Sequence, residues 1–260
     1  MPSTPRLPSQ YYPRLWLAAA AFGAFLLITT EILPYGHQLD TLISNALYDS
    51  THKRFILDLP SGAVKYWAYG ILKNVLLLIP AYALLQMLVG AYLRARGRLS
   101  AEQAARFRQW AWVFFGILLS TSLISLLKKL TNQACPWHMV DYGGVWQYVD
   151  IFTTRPWPAD SMQCWPGGHA SGGFSLWVFV FIGGWPAAVW SQRVARPPKH
   201  WRSPTFWFWA GLFLGTFMGF TQMGFGAHYF SHQFWTLWFV GVFYLALFSA
   251  RSAWVGRNEN

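Results

Sequence analysis

WAWVFFGILLSTSLISLLKK, residues 110–129, decides how the chain folds. Residues 110–127 carry no charge, and about 18 to 20 such residues cross roughly 30 Å of hydrocarbon as an α-helix, in which every backbone polar group is paired internally. The run ends on two cations, Lys128 and Lys129. Outward from it, comparable apolar runs lie at 15–33, 66–92, 169–190, 206–225 and 234–250. Lys73 interrupts the second of the six runs, and Gly183, Gly184 and Pro186 weaken the far end of the fourth. The expectation is an all-α polytopic membrane protein, a six-helix bundle forming one membrane domain over residues 1–260, with both termini on the same side. Composition agrees: of 260 residues 54% are hydrophobic, 19% aromatic and only 11% charged, too few to clothe a soluble domain.

The positive charges set the orientation. Arg6, Arg14, Arg94, Arg96, Arg98, Arg106, Arg108, Arg193, Arg196, Lys199, Arg202, Arg251 and Arg257 fall on the face that holds the termini, opposed by Glu102 and Glu259. On the other face Lys53, Arg54, Lys65, Lys73, Lys128, Lys129 and Arg155 are balanced by Glu31, Asp40, Asp49, Asp58, Asp141, Asp150 and Asp160. The positive-inside rule therefore makes both termini cytoplasmic. The net charge of +11 is a topology signal rather than a nucleic-acid footprint. The first run follows Arg6 and Arg14 without a small-residue cleavage site and reads as a retained span rather than a signal peptide.

Two extracytoplasmic segments, 35–65 and 128–168, are long enough to carry structure. Leu39, Leu42, Ile43, Ala46 and Leu47 have helical spacing, which predicts an amphipathic helix lying on the membrane. Pro60-Ser61-Gly62 precedes Ala63, not a titratable residue. The second segment holds both cysteines, Cys135 and Cys164. On an oxidising face they favour a disulfide, and the alternative is two small buried apolar residues. Closing a loop of about 30 residues contributes on the order of 3.5 kcal/mol in the chain-entropy picture.

The predicted topology brings Lys128, Lys129, His169 and His228 to the outer mouth of the bundle. The lysines read either as phosphate ligands or as a snorkelling pair at a helix end. Pro166-Gly167-Gly168-His169 opens a helix, and its glycines let backbone N–H groups approach an anion; a plain glycine-rich cap is the alternative. His228 and His232, four residues apart, share a helix face as catalytic groups, as metal ligands without a third partner, or as interfacial histidines.

These segments resemble the signature of the type-2 phosphatidic acid phosphatase superfamily: Lys-x6-Arg-Pro, Pro-Ser-Gly-His, then Ser-Arg-x5-His-x3-Asp. Here the order is Lys128-x6-Cys135-Pro136, Pro166-Gly167-Gly168-His169 and Thr221-Gln222-x5-His228-x3-His232, within a phosphatase-like core of about 70–250. Cys135 and Gln222 stand where the pattern has arginines, and His232 where it has the aspartate that orients the nucleophile. Cys-Pro-Trp, Tyr-Gly-Gly and Gly-Ala-His-Tyr-Phe-Ser-His look like a bacterial branch with a variant pattern.

The resemblance implies a metal-independent lipid phosphatase of the bacterial inner membrane, working at the periplasmic face without a cofactor, nucleic acid or obligate protein partner. It implies that His228 attacks phosphorus, His169 protonates the leaving oxygen and His232 orients His228. Lys128, Lys129, Gly167, Gly168 and Gln222 would hold the phosphoryl oxygens. Undecaprenyl diphosphate is the favoured substrate. Lipid A phosphatase or phosphotransferase activity and action on phosphatidylglycerol phosphate or phosphatidate are alternatives; a decayed lipid-binding or transport protein is the alternative of another class.

Overall fold

A computed structural model describes residues 9–33, 36–159, 161–191 and 199–258. Arg6, Asp160, Arg193, Arg196 and Glu259, which enter the charge argument, lie outside the described residues. The helices are α1 (Tyr12–Leu26, continued by a π-helical turn Leu27–Ile32), α2 (Gly36–Leu47), α3 (Leu72–Ala95, preceded by π-helical Lys65–Ile71) and α4 (Ala101–Thr131). After a long loop come α5 (Gly168–Phe174), α6 (Val178–Ile182), α7 (Pro204–Gly224) and α8 (Phe230–Asn258). A two-stranded antiparallel ribbon, β1 (Tyr48–Asp49) and β2 (Arg54–Phe55), is the only sheet among the described residues.

Among those residues four helices are long and apolar enough to cross a membrane: Tyr12–Ile32, Lys65–Ala95, Ala101–His138 and Phe230–Trp254. Their surfaces agree, because Leu17, Phe25, Leu78, Leu88, Leu119 and Leu126 face outward where a soluble protein would carry polar groups. The run expected at 169–190 does not form one helix. It stops at Ile182, because Gly183 and Gly184 adopt positive φ (87° and 106°), and α5 to α6 reach only about 22 Å at 1.5 Å per residue. Helix α7 has 21 residues, about 31 Å, but Trp, Gly, Thr and Gln lower its mean hydropathy.

Helix α4 is the spine. It starts at a capping box in which the Ser100 hydroxyl accepts from the Gln103 N–H (3.2 Å) while the Gln103 side chain accepts from the Ser100 N–H (3.0 Å). Its Trp110, Val113, Ile117 and Ile124 are buried against Phe174, Val178, Phe179, Val240 and Tyr244. Inside this apolar core the Ser120 hydroxyl meets the Tyr244 hydroxyl at 3.1 Å, and Tyr244 donates to the Ser175 carbonyl at 2.8 Å. These two buried hydroxyls are thus paired, as a low-dielectric interior requires. Helices α5 and α7 are in close contact through small residues. A Cβ on Gly173 would overlap the backbone of Gly215, and one on Gly215 would overlap the Phe174 ring. This approach sets the position of the α5 N-terminus.

The segment between α1 and α3 and the long loop after α4 fold together into a cap. Phe55 from the first packs with Ala134, Met139, Tyr142, Trp157 and Met162 from the second and with Tyr229 beside the histidine pair. Helix α2 spans the expected amphipathic stretch, but its buried positions are the polar Asp40 and Ser44, while Leu39 and Leu42 are exposed. Its polar face is needed inside: Asp40 accepts from the Ser231 N–H (2.8 Å) and hydroxyl (2.6 Å) at the start of α8.

Candidate functional site

The end of α4 is fastened before any functional side chain is placed. Asn132 turns left-handed (φ 46°) and its N–H donates to the Lys128 carbonyl (3.1 Å), while its side chain bonds the Pro158 carbonyl (3.0 Å) and the Met162 N–H (2.9 Å). The Cys164 N–H then donates to the Gln133 carbonyl (2.9 Å), and Thr131 Oγ1 donates to the Trp165 carbonyl (2.6 Å). A disulfide joins Cys135 to Cys164, with Cα atoms 5.2 Å apart. The loop is therefore folded back so that residues 164–168 lie alongside the last turn of α4.

That arrangement puts Lys128 against α5. A Cβ built on Gly168 would stand 3.1 Å from Lys128 Nζ and 3.4 Å from its Cδ, so the lysine lies across a residue with no side chain. Lys128, Gly168 and His169 line the same cavity of about 410 Å³ between α3, α4 and α5. The next layers of the wall are Leu76, Leu77, Phe114, Ile117 and Leu118. Lys129, about 100° round the helix, is exposed and lies outside this lining.

The histidine pair enters from the other side. Between α7 and α8, Gly226 takes a positive φ (72°), with the Phe55 ring where a Cβ would project, and the Ala227 N–H donates to the Gln222 carbonyl (2.9 Å). This turn buries His228, whose Nδ1 lies 2.6 Å from the Cys164 carbonyl oxygen. His232 Nδ1 lies 2.9 Å from the same oxygen. A carbonyl only accepts, so each imidazole carries its proton on Nδ1 and leaves Nε2 with a lone pair. Burial, followed by the charges of Lys128, His232 and His169, pushes His228 well below the ordinary histidine range, which keeps its ring neutral.

These contacts alter two expectations. His232 does not accept from His228: the rings stand 5.7 Å apart at 63°, and the Cys164 backbone orients both. The Gly167 N–H donates to the His232 carbonyl (3.3 Å), so that amide is engaged inside the protein rather than offered to a phosphate. Gly167 still needs to be small, since a Cβ there would meet Thr236 Oγ1 at 3.3 Å and His228 Cδ2 at 3.9 Å. Gln222 is buried in the last turn of α7 and is not among the cavity-lining residues.

Sequence reasoning missed three contributors. The Cys164 carbonyl carries no side-chain signature. Asp40 sits far from the motifs, yet its carboxylate caps α8 at Ser231, between the two histidines. Its carboxyl is pushed up to about 6, chiefly by burial and against the lowering effect of the Ser231 bonds. Lys73 had a signal, being a cation within an apolar run, and it lines the cavity together with Lys128 and His169. Cys135, His138 and Cys164 also bring ligand-type atoms within 4.8 Å of one another, but the disulfide removes the two thiolates a metal would need.

No curated protein and no solved structure matches the chain. Residues 109–256 match the PAP2 superfamily, a stretch that runs from the start of the α4 core through Lys128, His169 and His228 to the far end of α8. The match covers more than half of the chain and holds every histidine and lysine of the three motifs: the chain belongs to the PAP2 superfamily.

Proposed function

We propose that the chain is a metal-independent lipid phosphatase that removes phosphate from a membrane lipid phosphate or diphosphate, with undecaprenyl diphosphate the favoured substrate. The observation that carries this reading is the meeting of Lys128 and His169 in one cavity whose other walls are largely apolar, with the Nδ1-anchored His228 buried close behind them and within reach of the Lys128 and His169 charges. A phosphate there has a cation, a proton donor and a nucleophile, and an acyl or prenyl tail has Leu76, Leu77, Phe114, Ile117 and Leu118.

In the first step the Nε2 lone pair of His228 attacks phosphorus, the bond to the leaving oxygen breaks, and His169 gives that oxygen its proton. Water then attacks the phosphohistidine, loses a proton to His169, and the P–N bond breaks to release phosphate. Lys128 offsets charge on the phosphoryl oxygens throughout, assisted by the N–H of Gly168 in the first turn of α5. Lys129 serves the head-group region. His232 contributes by sharing the Cys164 carbonyl and holding the Gly167 amide, and Gln222 by supporting the His228 turn through its carbonyl.

The expected arrangement is six spans with cytoplasmic termini and the site at the periplasmic face of a bacterial inner membrane. The distribution of Lys and Arg supports it, as does the position of the site at the C-terminal end of α4. The test is phosphate release by purified protein from a panel of lipid phosphates and diphosphates in EDTA. His228→Ala should abolish release while inserting and folding normally; near-native release by that variant would overturn the mechanism.

A further inference from the structure

Lys73 lies about two turns inside the Lys65 end of the helical run Lys65–Ala95, and it precedes residues 109–256, so the family match does not account for it. Lys73, Leu76, Leu77 and Pro80 recur at helical spacing and line the cavity from α3. Facing them from α4 are Lys128, Ser125, Thr121 and Leu118, and from α5 His169 and Gly172. Lys73 and Lys128 both act electrostatically on His169. A cation in an apolar span is costly to retain and marks a functional position when it faces a cavity.

The order of groups across the site gives this second cation a role. His228 is buried and lies behind the cavity, anchored to the Cys164 carbonyl, and is not part of the lining. In-line attack from His228 expels the leaving group on the opposite side, into the cavity that Lys73, Lys128 and His169 share. If the leaving group is a lipid alcohol, its charge is confined to one oxygen and disappears when His169 protonates it. If the leaving group is itself a lipid phosphate, it departs with about 1.5 to 2 negative charges, and protonating the bridging oxygen does not remove them. A fixed cation on the leaving-group side is required only in the second case.

Resting on the phosphatase reading above, we propose that Lys73 binds the phosphate that stays on the lipid, and so selects lipid diphosphates over lipid monophosphates. The bond cleaved is the P–O bond between the bridging oxygen and the terminal phosphorus. His228 takes that phosphorus, His169 protonates the bridging oxygen, and Lys73 pairs with the phosphate that retains it.

The experiment compares farnesyl diphosphate with farnesyl phosphate as substrates of the full-length protein in one detergent. Wild type should prefer the diphosphate. Lys73→Gln should lower kcat/KM for the diphosphate by roughly 10- to 100-fold, as expected for loss of a charge-assisted pair, and leave the monophosphate within about threefold. Lys73→Arg should restore most of the diphosphate rate. Farnesyl phosphate is also the organic product, and its inhibition of diphosphate hydrolysis should weaken in Lys73→Gln by a similar factor. Equal losses on both substrates, no loss on either, or unchanged product inhibition would overturn the role of Lys73 alone. Failure of wild type to release phosphate from either lipid would overturn the phosphatase reading and this inference with it.

Discussion

Replacing Lys128 and Lys129 separately by alanine tests whether the cation at the end of α4 acts on the substrate or merely ends a membrane helix. The two residues are adjacent, carry the same charge and sit at the same depth, so a snorkelling role makes them equivalent. The geometry does not. Lys128 is half-buried, lies across Gly168 and lines the cavity with His169, whereas Lys129 is exposed outside it. A charge-assisted hydrogen bond contributes about 1.5 to 3 kcal/mol, and an anion left unpaired beside apolar walls costs more. At 1.36 kcal/mol per decade, Lys128→Ala should lower kcat/KM by roughly 10- to 1000-fold. An exposed cation contributes less than about 1 kcal/mol, so Lys129→Ala should cost less than about fivefold. The assay is phosphate release from one lipid substrate by both purified variants in the same detergent. Equal, minor losses would remove Lys128 from the active site and leave the snorkelling reading in its place.

Two further measurements probe the scaffold behind the histidines. Asp40 has its carboxyl raised from 3.8 to about 6, so the folded state holds that proton more tightly than the unfolded chain; the resulting stability is present below about pH 4 and is lost as pH rises through about 6. Nearby His37 is lowered by burial from 6.5 to about 4 and titrates with the opposite sign, so the useful quantity is the difference between Asp40→Asn and wild type. That difference should move in favour of the variant by about 2.4 kcal/mol between pH 4 and pH 7 in thermal unfolding, and a pH-independent difference would refute the assignment. Reducing the Cys135–Cys164 disulfide should cost on the order of 3.5 kcal/mol of stability and lower turnover at least about tenfold, because the Cys164 carbonyl orients both His228 and His232. Full turnover in reduced protein would show that the Gln133 bond to Cys164 holds the carbonyl unaided.

The helices and the three motif segments could be read from the chain because their signals are local. An apolar run of spanning length and glycines that weaken a helix after Ile182 each depend on residues a few positions apart. Gly183, Gly184 and Pro186 already marked the weak end of the fourth run, although only the backbone showed that the helix stops there. The local pattern of Lys128, Pro166 to His169 and His228 likewise pointed to the PAP2 superfamily. The partners of those residues were settled by tertiary structure, because they are contacts between segments far apart in sequence and their atoms are generic. The Cys164 carbonyl is one of many backbone acceptors, and nothing in the sequence sets it apart until the loop folds back on α4. Asp40 becomes a cap for α8 across 191 residues, and the amphipathic pattern of α2 drew attention to its leucines, which stay exposed, rather than to the polar face that packs inside. Lys73 stood out in hydropathy only as a defect. Packing of α3 beside α4 and α5 turns that defect into a second cation at the mouth of the cavity, since side-chain direction on a helix acquires meaning only when the neighbouring helices are in place.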